Sequence, residues 1–197
     1  MSSDKKKFIL ASKSPRRKLL LEQAGFSFVV IPSGVDESEI ATADLNSIEH
    51  TKTLALAKAM DVAKKYTTRF VFGADTVVDF EGEIIGKPKD PADAERITRM
   101  LFSKPHKVIT AVALLNIDSA IEIAEAVVTI VYPRKLTEAQ IAEHIKGGLW
   151  QGKAGAYGIQ ETEDEFIERI EGSFTNVIGL PMELMEKLIE EVVLRIL

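Results

Sequence analysis

The sequence contains no cysteine, so disulfides, zinc–thiolate sites and cysteine nucleophiles are excluded, and any metal must be held by oxygen or imidazole. Histidine is scarce too. His50, His106 and His144 stand far apart with no paired spacing; they read as surface or capping residues rather than ligands, which leaves a hard, oxygen-bound cation such as Mg²⁺ to consider. No internal repeat and no low-complexity segment is present. The basic start, Met1 to Lys7, is followed by an apolar segment too short for a signal peptide or a membrane span, so a soluble, cytoplasmic chain without a membrane partner is expected. An excess of positive charge is also missing. The net charge of −5 argues against broad nucleic-acid binding, which draws on clustered basic surface. The 197 residues are expected to form one domain, 1–197, with a sizeable core.

Against that background one stretch stands out. Phe70 to Val78 is an apolar run with Asp75 in its middle. Aromatic and β-branched residues on both sides read as a buried strand, and a buried carboxylate needs a cation or hydrogen-bond donors, or it takes up a proton. Asp75 is therefore either a catalytic acid or a structural one that bonds backbone amides where Gly73 lets the chain bend. Upstream, the strand Phe8 to Ala11 runs into Ser12-Lys13-Ser14-Pro15-Arg16-Arg17, where Ser14 caps a helix that starts at Pro15 and stops at Gly25. Two arginines in a first turn oppose the helix dipole unless an anion sits there, so this turn reads as a phosphate site, the alternative being two solvated arginines on an ordinary helix.

Other segments supply possible partners. Phe26 to Ile31 reads as a second strand, and the acidic loop Asp36-Glu37-Ser38-Glu39 is either a metal ligand or a solvated turn. A helix capped by a box of Asn46 and Glu49 carries Ala55, Ala59, Val62 and Ala63 on its inner face, with Lys58 beside that stripe, snorkelling to solvent or pointing into a cleft. Glu81-Gly82 turns the chain back through Ile84-Ile85 and brings Lys87 towards Asp75. Asp90-Pro91 opens a further helix, residues 108–115 and 120–132 form a long hairpin, and a box of Thr137 and Gln140 opens a helix ending at Gly147-Gly148. Gly152 to Gln160 is either a flexible surface loop, which its composition suits, or a segment whose glycines allow close backbone approach to a ligand, where Tyr157 can stack on a base and Gln160 can read its edge. A strand over 165–170 and a closing amphipathic helix with Leu184, Leu188, Val192 and Ile196 complete the chain.

Four blocks, in order, resemble the Maf family of nucleoside triphosphate pyrophosphatases: Leu10-Ala11-Ser12-Lys13-Ser14-Pro15-Arg16-Arg17; Gly73-Ala74-Asp75-Thr76-Val77-Val78 with Gly86-Lys87-Pro88; Lys153-Ala154-Gly155-Ala156-Tyr157-Gly158-Ile159-Gln160; and Gly172-Ser173-Phe174 with Asn176-Val177-Ile178-Gly179-Leu180-Pro181. The resemblance, together with the alternation of strands and helices, implies an α/β fold with a mixed, twisted sheet flanked by helices and an active-site cleft between two lobes, similar to inosine triphosphate pyrophosphatase. It implies cleavage of a nucleoside triphosphate between the α- and β-phosphates with a divalent cation, Mg²⁺ or Mn²⁺. By the same resemblance Asp75 is the proton acceptor, Glu37 and Asp75 hold the metal, and Lys87 joins them in the catalytic set. Ser12, Arg16, Arg17, Lys58 and Lys87 surround the triphosphate. The third block resembles the branch acting on dTTP, UTP and modified pyrimidine nucleotides, where Arg16, Thr76 and Gln160 match positions associated with substrate choice. A homodimer is implied as well, as is an alternative role as a nucleotide-binding regulator of cell division or septum formation. Three departures from the family pattern are Ala111, Lys104-Pro105 and Glu161; the last adjoins a specificity position.

Overall fold

The computed structural model describes residues 8–159 and 166–196, with side chains to residue 191. It has a seven-stranded mixed sheet. β1 (Phe8–Leu10), α1 (Pro15–Gln23), β2 (Phe28–Val30) and a 3₁₀ turn (Glu37–Glu39) lead to α2 (Ser47–Ala63). Then follow β3 (Val71–Phe80), β4 (Glu83–Ile85), α3 (Pro91–Leu101), β5 (His106–Asn116), β6 (Ile121–Pro133) and α4 (Glu138–Gly147). A 3₁₀ turn (Ala154–Ala156), β7 (Ile167–Glu171), α5 (Phe174–Ile178) and α6 (Met182–Ile196) close the chain. The strands run β2-β1-β3-β5-β6-β7, with β4 pairing β3; β1 is parallel to both β2 and β3, and every other pairing is antiparallel.

The elements follow from the residues. β3 is buried on both faces because helices cover both sides of the sheet, which explains its continuous apolar run. On one face, α2 lays Ala55, Ala59, Val62 and Ala63 over Ile9, Val71, Ala113 and Leu115. Ala111, where the family pattern has glycine, is fully buried in this same layer. The opposite face packs Phe72, Val112, Leu114, Leu101, Tyr157 and Met185. The expected caps at Ser14, Asp90 and Thr137 form, the last as a reciprocal box with Gln140. Asn46 caps α2 by accepting from Ile48 and Glu49 N–H, while the Glu49 carboxylate pairs with Lys52 at 3.3 Å. Glu81 and Gly82 take positive φ, as a tight hairpin turn requires, and Ile85 returns opposite Val78.

Three readings change. β2 is shorter than the 26–31 run: the strand paired with β1 spans Phe28 to Val30, and Ile31 adds one N–H bond to Leu10 O at 3.1 Å. Residues 176–181 are not merely a lead-in: Ser173 caps the short α5, whose five residues are too few to show helical periodicity. His106 and His144 are core residues, 2% and 6% exposed, rather than surface ones. Burial lowers the pKa of His106 from 6.5 to about 4. Because the folded value lies below the unfolded one, this histidine stabilises fully above pH 6.5 and loses its contribution as pH falls towards 4. The expected loss is about 2 kcal/mol between pH 7 and pH 4.5, read by urea denaturation at those two values; a His106→Phe variant should lose less over the same interval.

Candidate active site

β5 pairs β3 continuously from Val71 to Asp79, but the other edge of β3 is interrupted. There β1 reaches only Val71 and Phe72, and β4 covers only Val78 to Phe80. Residues 73–77 face the gap, and a cavity of about 530 Å³ opens into it. Its wall is built by the first turn of α1, the Glu37 turn, one stripe of α2, the exit of β4, the 152–159 segment and Ile178-Gly179. The position agrees with a general rule for α/β sheets, in which ligands bind beyond the carboxyl ends of parallel strands where strand order reverses.

Gly73 sets the height of α2 over this gap. A Cβ at Gly73 would lie 2.3 Å from the Ala55 carbonyl oxygen and 2.7 Å from Ala59 N. The glycine therefore serves close helix approach rather than a bend. That approach places Lys58, on the same turn of α2, above Asp75. Its ammonium donates to Asp75 Oδ1 at 2.7 Å and reaches Glu37 Oε1 at 2.8 Å, so one cation bridges two carboxylates. Asp75 is 7% exposed, and its second oxygen, Oδ2, is buried without a hydrogen-bond partner among the described residues. Such an atom points to a further positive or donor group at this place.

No three His, Asp or Glu side chains cluster as a metal cage among the described residues. The donor set instead fits a hard cation bound by one or two carboxylates, with substrate phosphates and water supplying the remaining ligands. Asp75 Oδ2 and the half-exposed Glu37 carboxylate are the residues that would hold it.

The two arginines of the α1 turn differ. Arg17 donates to Gly179 O at 2.8 Å, Ala74 O at 2.8 Å, Ser12 Oγ at 3.1 Å and Thr76 Oγ1 at 2.9 Å. Desolvation lowers its pKa, and nearby Asp75 opposes that. Arg17 lines the cavity, but most of its donors are spent on the protein itself, where they join the Ser12 turn, β3 and the 179 loop. Arg16 lines the cavity, anchored by Nε to Ile178 O at 3.3 Å. Ser12 is buried and accepts from Arg17 and from Ser14 N–H. Thr76 Oγ1 joins Arg17 to Thr110 Oγ1 at 3.0 Å, and Thr110 donates to Asn176 O at 3.0 Å.

Lys87 is exposed on the cavity rim, with no ion-pair partner among the described residues, beside the Gly155 N–H to Gly86 O bond of 3.2 Å. Tyr157 is on the cavity wall, with its ring 6% exposed and packed edge-on against Phe102 and its hydroxyl 2.8 Å from His106 Nε2, so it also supports the loop. Gln160 and Glu161 lie outside the described residues. Sequence reasoning missed Lys13, His50 and the buried Lys153 on the cavity wall, and Asn176 behind it. Asn176 was part of a quoted block, but only its full burial and its bonds to Val108 O and Thr129 Oγ1 give it a structural role.

The Gly73 contact yields a test. Gly73→Ala must displace α2 backbone, and should cost about 3 kcal/mol, near the upper end for overpacking. An unchanged urea midpoint would contradict the account of how Lys58 is held.

A family model described as Maf-like protein matches residues 7–192. A dTTP/UTP pyrophosphatase of Elusimicrobium minutum is 46% identical over 185 residues, covering 94% of this chain and 98% of the relative. One from Geotalea uraniireducens is 45% identical over 182 residues, covering 92% and 93%, and one from Pyrococcus furiosus is 42% identical over 185 residues, covering 94% and 95%. Among solved structures, the Staphylococcus aureus Ham1 protein aligns over 66% of this chain and 73% of its own at 14% identity, with a TM-score of 0.44, a likeness too loose to bear on the site.

Proposed function

The chain belongs to the Maf family, and from that premise we propose that it hydrolyses dTTP, UTP and modified pyrimidine triphosphates to the monophosphate and pyrophosphate, which keeps non-standard nucleotides out of nucleic acid. The observation that carries this reading is the Asp75 Oδ2 atom, buried without a hydrogen-bond partner among the described residues, beside the Lys58-bridged Glu37 in the wall of a cavity that Arg16 and Lys87 also line.

In the proposed step water attacks the α-phosphorus, the Asp75 carboxylate takes the water's proton, and the bond from the α-phosphorus to the bridging oxygen breaks. The electron pair leaves on pyrophosphate. Asp75 suits the base role because it lines the cavity and, with Oδ1 bonded to Lys58, keeps Oδ2 without a hydrogen-bond partner among the described residues. Lys58, already cationic between the carboxylates, turns to a phosphoryl oxygen as charge builds there, and Lys87 meets the leaving group from the rim. A bound Mg²⁺ or Mn²⁺, held by Asp75 and Glu37, supplies Lewis-acid polarisation of the phosphate. Arg16 and Thr76, at the Ile178-Gly179 end of the cavity, face the nucleoside. Arg17 acts on substrate indirectly, by holding Thr76 and the Gly179 carbonyl in place.

Asp75→Asn preserves shape and removes the base. With Mg²⁺ or Mn²⁺ it should reduce pyrophosphate release from dTTP and UTP by at least about a hundredfold, the scale of a lost general base, while nucleotide binding survives. Release of single orthophosphates by the native chain would rule out α–β cleavage, and an unimpaired Asp75→Asn variant would rule out the base.

A further inference from the structure

Behind the cavity wall two buried histidines grip one short turn. Ala156 adopts φ +62°, a left-handed conformation that an alanine disfavours. Its carbonyl meets His144 Nε2, on α4, at 2.8 Å; since a carbonyl only accepts, that nitrogen carries the hydrogen. The next residue, Tyr157, meets His106 on β5. His106 Nδ1 lies 3.2 Å from Leu101 O and must donate there, so Nε2 is the free lone pair and accepts from the Tyr157 hydroxyl at 2.8 Å. The buried, neutral state of His106 agrees with this tautomer. The same turn sends Gly155 N–H to Gly86 O at 3.2 Å, one residue before Lys87, and a Cβ at Gly155 would come within 2.8 Å of Val78 Cγ2 on β3. The turn is therefore fixed from behind by two imidazoles, and its front carries Ala154, Gly158 and Ile159 on the cavity wall.

Resting on the substrate reading above, we infer that His106 and His144 are positioning residues that hold the strained Ala156-Tyr157 turn, and through it the Gly158-Ile159 wall and the Gly86-Lys87 exit, in the shape that receives the nucleotide. A core-filling role alone would require only ring volume at these positions. The observed pattern is more specific: each imidazole spends a hydrogen bond on one of two consecutive residues, at the point where the backbone is least able to hold itself. The proposed base and metal ligands stand on β3 and the Glu37 turn, with Lys58 on α2, so loosening the Ala156-Tyr157 turn should weaken nucleotide binding and spare the chemistry.

Tyr157→Phe removes a single hydroxyl and keeps the ring. Its affinity for the non-hydrolysable α,β-imido analogue of dUTP, measured by calorimetry with Mg²⁺, should fall about tenfold, the effect of one buried hydrogen bond. KM for dUTP and UTP should rise in parallel, with kcat within about twofold. His106→Phe should behave alike, and the double variant should bind no more weakly than His106→Phe alone, because both changes remove one bond. If the native chain does not bind the analogue, the substrate reading fails and the clamp with it. If the native chain binds and Tyr157→Phe binds equally well, or if the variant loses kcat and thermal stability with KM unchanged, the clamp is refuted while the substrate reading stands.

Discussion

A carboxylate buried in a sheet has to meet positive charge or give up its own. Asp75 meets this requirement through Lys58, and much of the neighbouring architecture serves that contact. The lysine is on a helix, so the helix must come close; it comes close because Gly73 has no side chain and Ala55 and Ala59 carry only a methyl. Removing one partner of such a buried pair costs on the order of 3–5 kcal/mol, and this explains how a fold tolerates an acid at the centre of β3. The pairing remains incomplete at Oδ2, and that atom is where chemistry becomes possible.

The same economy governs the cations. Arg17 is drawn inward, where carbonyls of Ala74 and Gly179 and hydroxyls of Ser12 and Thr76 replace water around its guanidinium. A hydroxyl chain then continues through Thr110 to Asn176, tying the end of the chain to the sheet beneath the cavity. Arg16, Lys87 and Lys13 stay on the cavity wall and rim, towards any anion that enters. One rigid layer thus supports a more exposed one.

Much of this was legible in the residues. The run around Asp75, the cap at Ser14, the Glu81-Gly82 turn and the paired capping residues of α4 are local signals, and local physics decided them. Lys58 was left between solvent and cleft, because its direction depends on how near α2 lies to β3, a tertiary fact that Gly73 encodes only once its neighbours are known. The two arginines carried the same sequence signal for opposite fates: a cation in a first turn is relieved equally by a phosphate or by carbonyls brought from residues 74 and 179. The burial of Tyr157, His106 and His144 escapes the sequence for a related reason. A polar aromatic in a glycine-rich stretch looks exposed until its hydroxyl finds a partner, and His106 stands 51 residues away in sequence. α5 was too short for periodicity to reveal.

The central claim is that Asp75 and Glu37 form, with Lys58 between them, the place where a divalent cation and an α-phosphate meet. A crystal structure with Mn²⁺ and the α,β-imido analogue of dUTP tests it most directly, because manganese can be located by its anomalous scattering. The account predicts the ion in contact with Asp75 Oδ2 and a Glu37 oxygen, the α-phosphate beside it, and the Lys58 ammonium on a phosphoryl oxygen. Manganese bound away from both carboxylates, or Lys58 still bridging them with the nucleotide elsewhere, would contradict it.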